Sequence, residues 1–402
     1  MPRVRTRNVV LAATAAAALA VVPAGAMAAT AKKPALTGAT SGVSLFIEPD
    51  SMQAPVVSFI NSAKKTLDFG IYQLNDPVIL AALVQARQRG VKVRVMATWQ
   101  TFPANSSTDP TNKCLYNENT PILQQLAAQG IKTGWSPYTF TYYHEKAMVA
   151  DGHTKKGRAL IMDFNSQPSY YGVPDPKYPL EGGARGFGVI TTNAQDVAEI
   201  QAAYDADFPP ARQVKSLSSP RLIWSPNGPG FVPRPGGLGK IMQQIDGAKK
   251  TLDVYALLLD YAPIQLKLMQ AAQRGVTVRV LFNTTGPAAF TLGALQQMSS
   301  AGIQFAHDPK STSGKSLFVH TKTIISDAGR KGALAYVGSM NVGDQVSVNA
   351  ERELGILLAN TGIVNTISTT YASDWSTATP LQVVNGQVVN PFPTPKARTT
   401  TC

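Results

Sequence analysis

The sequence predicts an internally duplicated α/β protein. It consists of two α/β/α units with mainly parallel mixed sheets, related by a pseudo-twofold axis and sharing one composite site at their interface. Three observations predict this. The stretch AKKTLDFGIYQLNDPVILAALVQARQRGVKVRVM from Ala63 returns as AKKTLDVYALLLDYAPIQLKLMQAAQRGVTVRVL from Ala248, 185 positions later. Within each copy, alternating or apolar runs that read as strands are separated by amphipathic runs that read as helices. Each copy also carries one His-x-Lys-x4-Asp pattern, at His144, Lys146 and Asp151 and again at His320, Lys322 and Asp327; an asparagine, Asn165 or Asn341, follows each Asp by fourteen places.

In chain order, the first residues form a segment of their own. Arg3, Arg5 and Arg7 precede an Ala/Val-rich run over residues 9–22 that ends in Ala24-Gly25-Ala26-Met27-Ala28. This is the pattern of a secretory signal peptide over residues 1–28, cut after Ala26 or Ala28. The apolar run is shorter than the roughly 20 residues of a membrane span. A flexible segment at 29–42 leads into the first unit, 43–208. Its expected elements are a strand at 43–47, a helix at 54–64 and a strand at 67–72. A helix then opens on Pro77 and ends before Gly90. After it come a strand at 91–96, a helix at 121–129, the paired motif strands, a strand at 187–191 and a helix at 194–206.

A Pro/Arg/Ser stretch at 209–220 reads as the linker. The second unit, 221–379, repeats the order. Its helices are expected at 238–248, 263–273, 290–300 and 364–374, and its strands at 252–257, 276–282 and 354–358, with motif strands between. The turn Asp327-Ala328-Gly329 joins two short strands, and period-two alternation places His320 and Lys322 on one strand face. Three stretches depart from the repeat: the polar insertion 98–119 with Trp99, Phe102 and Cys114, the Pro/Gly/Tyr-rich stretch 167–183, and the Pro/Thr-rich tail 380–402, expected to be loosely ordered.

Charge and cysteine use bound the function. The formal charge of +13 falls to +10 once the three leader arginines are removed, so acidic partners such as anionic lipid headgroups or nucleic acid are favoured. Two cysteines, Cys114 and Cys402, are no disulfide framework. With no cysteine-pair motif, and two of the four histidines already in the repeated pattern, a zinc site is not indicated.

The repeated pattern carries the chemistry. If Lys and Asp each fill about one position in twenty, a given His has this pattern by chance roughly once in 400, and two copies with a common downstream spacing are far rarer. Two imidazoles, two ammoniums and two amides suit one shared phosphate. Lys146, Lys322, Asn165 and Asn341 would neutralise and orient its oxygens. One neutral imidazole would attack phosphorus while the other, protonated, serves the leaving alkoxide. No metal or other cofactor is required. His153 and His307 lack such surroundings and read as surface residues. The aromatics Trp135, Tyr138, Phe140, Tyr142 and Tyr143 read either as an entrance for acyl chains or as core.

Both patterns resemble the HKD signature of the phospholipase D superfamily, and the duplicated layout, from about Val43 to Trp375, is similar to its two-domain members. The resemblance implies a phospholipase D-like fold with His144 as nucleophile and His320 as general acid and later base. It also implies that Asp151 and Asp327 support a histidine or the hydrogen-bond network of the site. The second copy keeps Gly338-Ser339 before Asn341, so Ser339 joins the substrate-binding set, and Glu353 stands where relatives carry a histidine-bonding Glu. The first copy has Met162-Asp163 and, at the place of that Glu, Gly186. Asp163 is therefore expected to substitute for the missing acid.

The function expected from this is that of a secreted, metal-independent phosphodiesterase releasing phosphatidate and free headgroup from glycerophospholipids, with transfer to alcohols as a variant outcome. Its partner is a phospholipid at a membrane or micelle surface, and two motifs in one chain make a monomer the expected state. Two alternatives stay open: a nuclease of the same superfamily acting on DNA or RNA, and a non-catalytic binder of polyanions or membranes that retains the fold.

Overall fold

Two sheets with matching strand order carry the duplication. In the computed structural model the described residues are 37–40, 42–101, 117–176, 179–212, 219–226, 237–285 and 289–392. The expected leader, Phe102, Cys114, Tyr178, half of the linker and the end of the tail with Cys402 lie outside them. The first sheet runs, from edge to edge, Thr37–Thr40, Val43–Glu48, Ala184–Thr191, Arg158–Met162, Ala147–Ala150, Thr66–Ile71, Lys92–Ala97 and Lys132–Trp135. The second starts at Leu222–Ser225 and continues through Glu353–Leu358, Leu334–Gly338, Ile324–Ser326, Thr251–Tyr255, Thr277–Phe282 and Gln304–His307 to Thr379–Pro380.

The repeated segment folds the same way twice. Thr66–Ile71 pairs in parallel with Lys92–Ala97, as Thr251–Tyr255 does with Thr277–Phe282. The connecting helices are Pro77–Gln88 and Ala262–Gln273, each with a proline in its first turn. Asp76 caps the first of them by accepting from the amides of Val78 and Ile79. Gly90 and Gly275, at φ 89° and 84°, turn both chains back into the next strand.

The expectation of mainly parallel sheets is corrected. Among the described strands, parallel pairing is confined to three in each half (Thr66–Ile71, Lys92–Ala97, Lys132–Trp135 and their counterparts) and to Phe318–Val319 against Ala184–Arg185. The other ladders are antiparallel, and the motif strands themselves, Ala147–Ala150 with Arg158–Met162 and Ile324–Ser326 with Leu334–Gly338, are joined by connections too short for a crossover helix. The tail is also corrected. Thr379–Pro380 adds to the second sheet, Val383–Val384 and Gln387–Val388 form a hairpin around Asn385-Gly386, and Phe392 packs on Phe282 and Phe290.

Among the described residues three large apolar clusters form the layers. One lies between the first sheet and its outer helices, with Val56, Ile60, Leu83 and Leu123 among its members. Its counterpart in the second half contains Ile241, Ile245, Leu268 and Leu295. The third joins the halves: Val149, Ile161, Phe187 and Val189 of the first sheet share it with Ile325, Val337, Leu354 and Ile356 of the second. Helices Ala194–Asp207 and Thr361–Thr377 contribute Ile200 and Ile367 to this shared core. Sheet therefore meets sheet at the interface where the two motifs lie.

Candidate active site

Each motif histidine enters through a strand exchange with the opposite half. Phe318 and Val319 pair with Ala184 and Arg185 of the first sheet before the chain returns to its own sheet at Ile324. Tyr143 bridges to Arg352 of the second half, and the amides of His144 and Glu145 both donate to the Arg352 carbonyl. His320 and Lys322 are therefore not on a continuous strand, as alternation suggested, but on an extended link between two sheets. They still share a face, with Lys322 Nζ 3.3 Å from His320 Nε2.

This exchange sets the tautomers. His144 Nδ1 lies 2.9 and 3.0 Å from the two Glu353 carboxylate oxygens. His320 Nδ1 lies 2.9 Å from the main-chain carbonyl of Asp163. Carboxylates and carbonyls only accept, so both Nδ1 atoms carry the proton and both Nε2 atoms keep a lone pair. A tyrosine edge steadies each ring, Tyr72 at 5.0 Å from His144 and Tyr170 at 4.8 Å from His320. Lys146 and Lys322 each donate to the carbonyl of their own histidine, at 2.5 and 2.6 Å.

The electrostatics favour neutral imidazoles among cations. Burial, together with the Lys146 and Lys322 ammoniums, outweighs the opposing pull of Glu353 and lowers His144 to about 4. Burial, Lys322 and Lys146 also push His320 well below its ordinary value. Burial lowers Lys322 to about 8, against the pull of Asp163 and Glu353. For Glu353, burial is outweighed by His144 and Lys146 and by the Ser339 hydroxyl, which hold it at about 2 as a carboxylate. Ser339 donates to Glu353 at 2.5 Å and Ser347 donates to its other oxygen. Asn165 donates to Gln73 at 3.1 Å, and the side-chain oxygens of both Asn165 and Asn341 are buried without a hydrogen-bond partner.

Asp163 does not act as the missing acid in the way expected. Its carboxylate accepts from the Phe187 amide at 2.8 Å and from the Thr321 hydroxyl, and only its main-chain carbonyl reaches His320. It does fill the vacated space: a Cβ at Gly186 would stand 2.9 Å from Asp163 Oδ1 and 2.6 Å from the Phe164 ring. Burial raises Asp163 to about 7.

Asp151 and Asp327 lie elsewhere. Each follows the short strand after its lysine, so about five residues at roughly 3.3 Å each separate it from that lysine. Asp151 accepts from the amides of Lys64, Lys65 and Thr66, and Asp327 from those of Lys249, Lys250 and Thr251. Both sit at positive φ, 55° and 51°. They tie the motif strand to the start of the repeated segment, and neither supports a histidine directly. Burial is outweighed by these amide bonds, so both carboxyls lie below the ordinary value. Their stabilisation is present above the unfolded-state value and fades as pH falls through the lowered one. Asp151→Ala is expected to cost about 2 kcal/mol near neutrality. Urea melts of variant and parent should converge once the pH is below the depressed native value.

Several site residues carry no repeat signal. Tyr170 belongs to the short 3-10 turn Pro168–Tyr171, and Ser347 to the short helix Gln345–Ala350. The segments that contain them, from Asn165 to Arg185 and from Asn341 to Arg352, differ in length by nine residues, so aligning the copies skips both. Of the aromatics before motif one, Phe140 and Tyr143 are core, whereas Tyr138 is 74% exposed and packs its ring on Trp99. His153 is exposed beside Asp205, but His307 is only partly exposed, packed on Phe282 and bonded to Asp308. Among the described residues, His144, Glu351 and Glu353 are the group whose donor atoms, within 4.8 Å of one another, lie close enough to hold a cation. Burial pushes Lys146 well below its ordinary value, against the pull of both of those carboxylates.

A duplicated α/β frame in which each half holds the other's histidine over a pair of lysines is the frame of the phospholipase D superfamily. The sequence matches the family described as "Cardiolipin synthase, PLD-like domain" over residues 56–162 and 241–375, one stretch in each half, and the chain belongs to that family. Among solved structures it is similar to phosphatidylserine synthase from Haemophilus influenzae, with TM-score 0.62 and 12% identity over 86% of this chain and 89% of that one. Polyphosphate kinase from Porphyromonas gingivalis matches with TM-score 0.56 and 15% identity over 82% of this chain, which spans 50% of that protein. Nuc, a phospholipase D family member from Salmonella typhimurium, matches with TM-score 0.33 and 20% identity over 40% of this chain and 97% of its own. The first two likenesses establish a shared fold. No curated protein matches the sequence.

Proposed function

We propose that the protein is an exported phospholipase D that hydrolyses glycerophospholipids to phosphatidate and free headgroup through a phosphohistidine on His144. The observation that carries this reading is the unequal support of the two histidines: Glu353 holds His144 with a carboxylate, Asp163 holds His320 with a neutral carbonyl. A carboxylate behind Nδ1 stabilises the imidazolium that forms when Nε2 bonds to phosphorus, so His144 is the nucleophile. Lys146 and Lys322 neutralise the phosphoryl oxygens. As the phosphorus–oxygen bond to the headgroup breaks, His320 Nε2 gives its proton to the departing alkoxide. His320 then takes a proton from water, which displaces His144 and restores both rings. Binding the anionic diester offsets the two ammoniums and restores to His320 the proton it lacks in the empty site. The basic leader pattern is the ground for export, and the charge of +10 left once its three arginines are removed is the ground for an anionic interface as partner. Among the described residues no helix is long and apolar enough to cross a membrane.

The test is the mature protein in EDTA with phosphatidylcholine vesicles, with and without ethanol, and separately with plasmid DNA. Choline release with phosphatidate is the expected result; phosphatidylethanol in the ethanol arm would assign transfer as well. DNA cleavage without choline release would replace the reading with a nuclease, and silence in both arms would leave a binder.

The pH profile should follow from the site. Below about 4 His144 takes up a proton and the nucleophile is lost. As pH rises His320 sheds the proton the leaving group needs, and near 8 Lys322 loses its charge. The kcat/KM is therefore expected to peak on the acid side of neutrality. A nitrophenyl diester, whose leaving group needs no proton, should hold its rate up to the Lys322 step.

A further inference from the structure

Glu351 is a buried acid that the mechanism above leaves unused. It is 5% exposed, and its Oε2 lies 3.8 Å from His144 Nδ1. Its carboxylate, that of Glu353 and the His144 ring nitrogen are all within 4.8 Å of one another. The opposite half has no equivalent: 167 positions earlier, Glu351-Arg352-Glu353 reads Ala184-Arg185-Gly186. Both carboxyls of this segment are thus directed at one histidine.

Two buried carboxylates this close do not both ionise. Glu353 has the better claim to the charge, because His144, Ser339 and Ser347 all donate to it. Glu351 is pushed well above the carboxylate range by burial, by Glu353 and by Asp344, with Lys146 opposing. Lys322, from the second motif, also feels its charge.

We propose that Glu351 is a positioning residue that pairs with Glu353, one carboxyl protonated and one ionised, so that His144 Nδ1 faces a single shared negative charge throughout turnover. The proposal rests on the reading of His144 as nucleophile. When Nε2 bonds to phosphorus the ring becomes cationic and keeps its Nδ1 proton. One negative charge behind it balances that cation, whereas two would draw the proton off and repel the diester.

Histidine-labelled protein, followed by nitrogen NMR over a pH titration, tests the pair, with turnover of bis(p-nitrophenyl) phosphate measured alongside. The His144 signals of the parent should show a step above the carboxylate range that Glu351→Gln removes and Lys322→Met retains. At pH 6 the neutral Gln should keep kcat within about threefold while Glu351→Ala loses about tenfold at unchanged KM. Superimposable His144 titrations in parent and Gln variant would overturn the pairing, as would a Gln variant as slow as the Ala variant. If the Ala variant does not fold, the Gln titration alone decides. A parent that leaves the diester intact refutes the proposed function, and the titration still decides the pair.

Discussion

His144→Ala should lower phosphodiester turnover by about 10⁴-fold or more, the scale of losing a covalent nucleophile. Glu353→Gln should lose about 10²–10³-fold, because the ring keeps its place but loses the charge behind its imidazolium. His320→Ala should behave differently from both. With a nitrophenyl diester the first displacement needs no acid, so the variant should release a burst of nitrophenol close to one per molecule and then stall. The stalled protein should carry a phosphoryl adduct that is stable to base and labile to acid, and peptide mapping should place it on His144. The asymmetry of the cross-held pair makes this a sharp expectation. His144 has Glu353 at 2.9 Å, whereas His320 has a neutral carbonyl at the same distance. An adduct on His320, or a burst in His144→Ala, would reverse the assigned roles.

The site was legible in the sequence wherever both halves kept the same residue in the same register. His144 with His320, Lys146 with Lys322 and Asn165 with Asn341 stand 176 apart, and hydrogen bonds hold the histidines and lysines in one cross-held cluster. The repeat also carries the ion pairs Asp68–Arg94 and Asp253–Arg279, each on adjacent parallel strands and 185 apart. What was not legible lies where the spacing changes, from 185 to 176 and then to 167. Each change is a segment of unequal length, and into the second fall Tyr170, Ser347 and the approach to Glu351. The two motif aspartates were misplaced for a different reason. Sequence shows that Asp151 is five residues from Lys146, but only the strand between them shows that five residues are a distance across a sheet. The expectation that Asp163 replaces the missing acid fails at the level of single atoms, although Asp163 does stand beside Gly186. Which of its oxygens faces His320 depends on the Thr321 hydroxyl and the Phe187 amide, which claim the carboxylate first.

The largest stability effects should come from two ion pairs that the same symmetry places across the interface. Arg185 binds Asp374 through two bonds of 2.8 and 2.9 Å, and Arg352 binds Asp207 through two of 2.7 and 2.8 Å. Both arginines, and both acids, are 167 apart, and each pair joins the strand that receives a motif from the other half to the end of a helix in that other half. All four side chains are at most 5% exposed. Removing one member strands a buried charge, so Arg185→Met and Arg352→Met should each cost about 3–5 kcal/mol in urea unfolding. The matching double variants, Arg185→Met with Asp374→Leu and Arg352→Met with Asp207→Leu, should recover most of that loss, because apolar replacements of a whole buried pair are often neutral. Activity should separate the two pairs even where stability does not. Arg352 lies between Glu351 and Glu353, and its carbonyl receives the His144 amide, so its loss should also loosen the nucleophile and lower kcat. Arg185 receives the Thr321 amide beside His320, so its loss should fall on the step that needs an acid and spare the nitrophenyl burst. A cost below about 1 kcal/mol for either single variant, the range of an exposed pair, would mean that these bonds do not hold the two halves together.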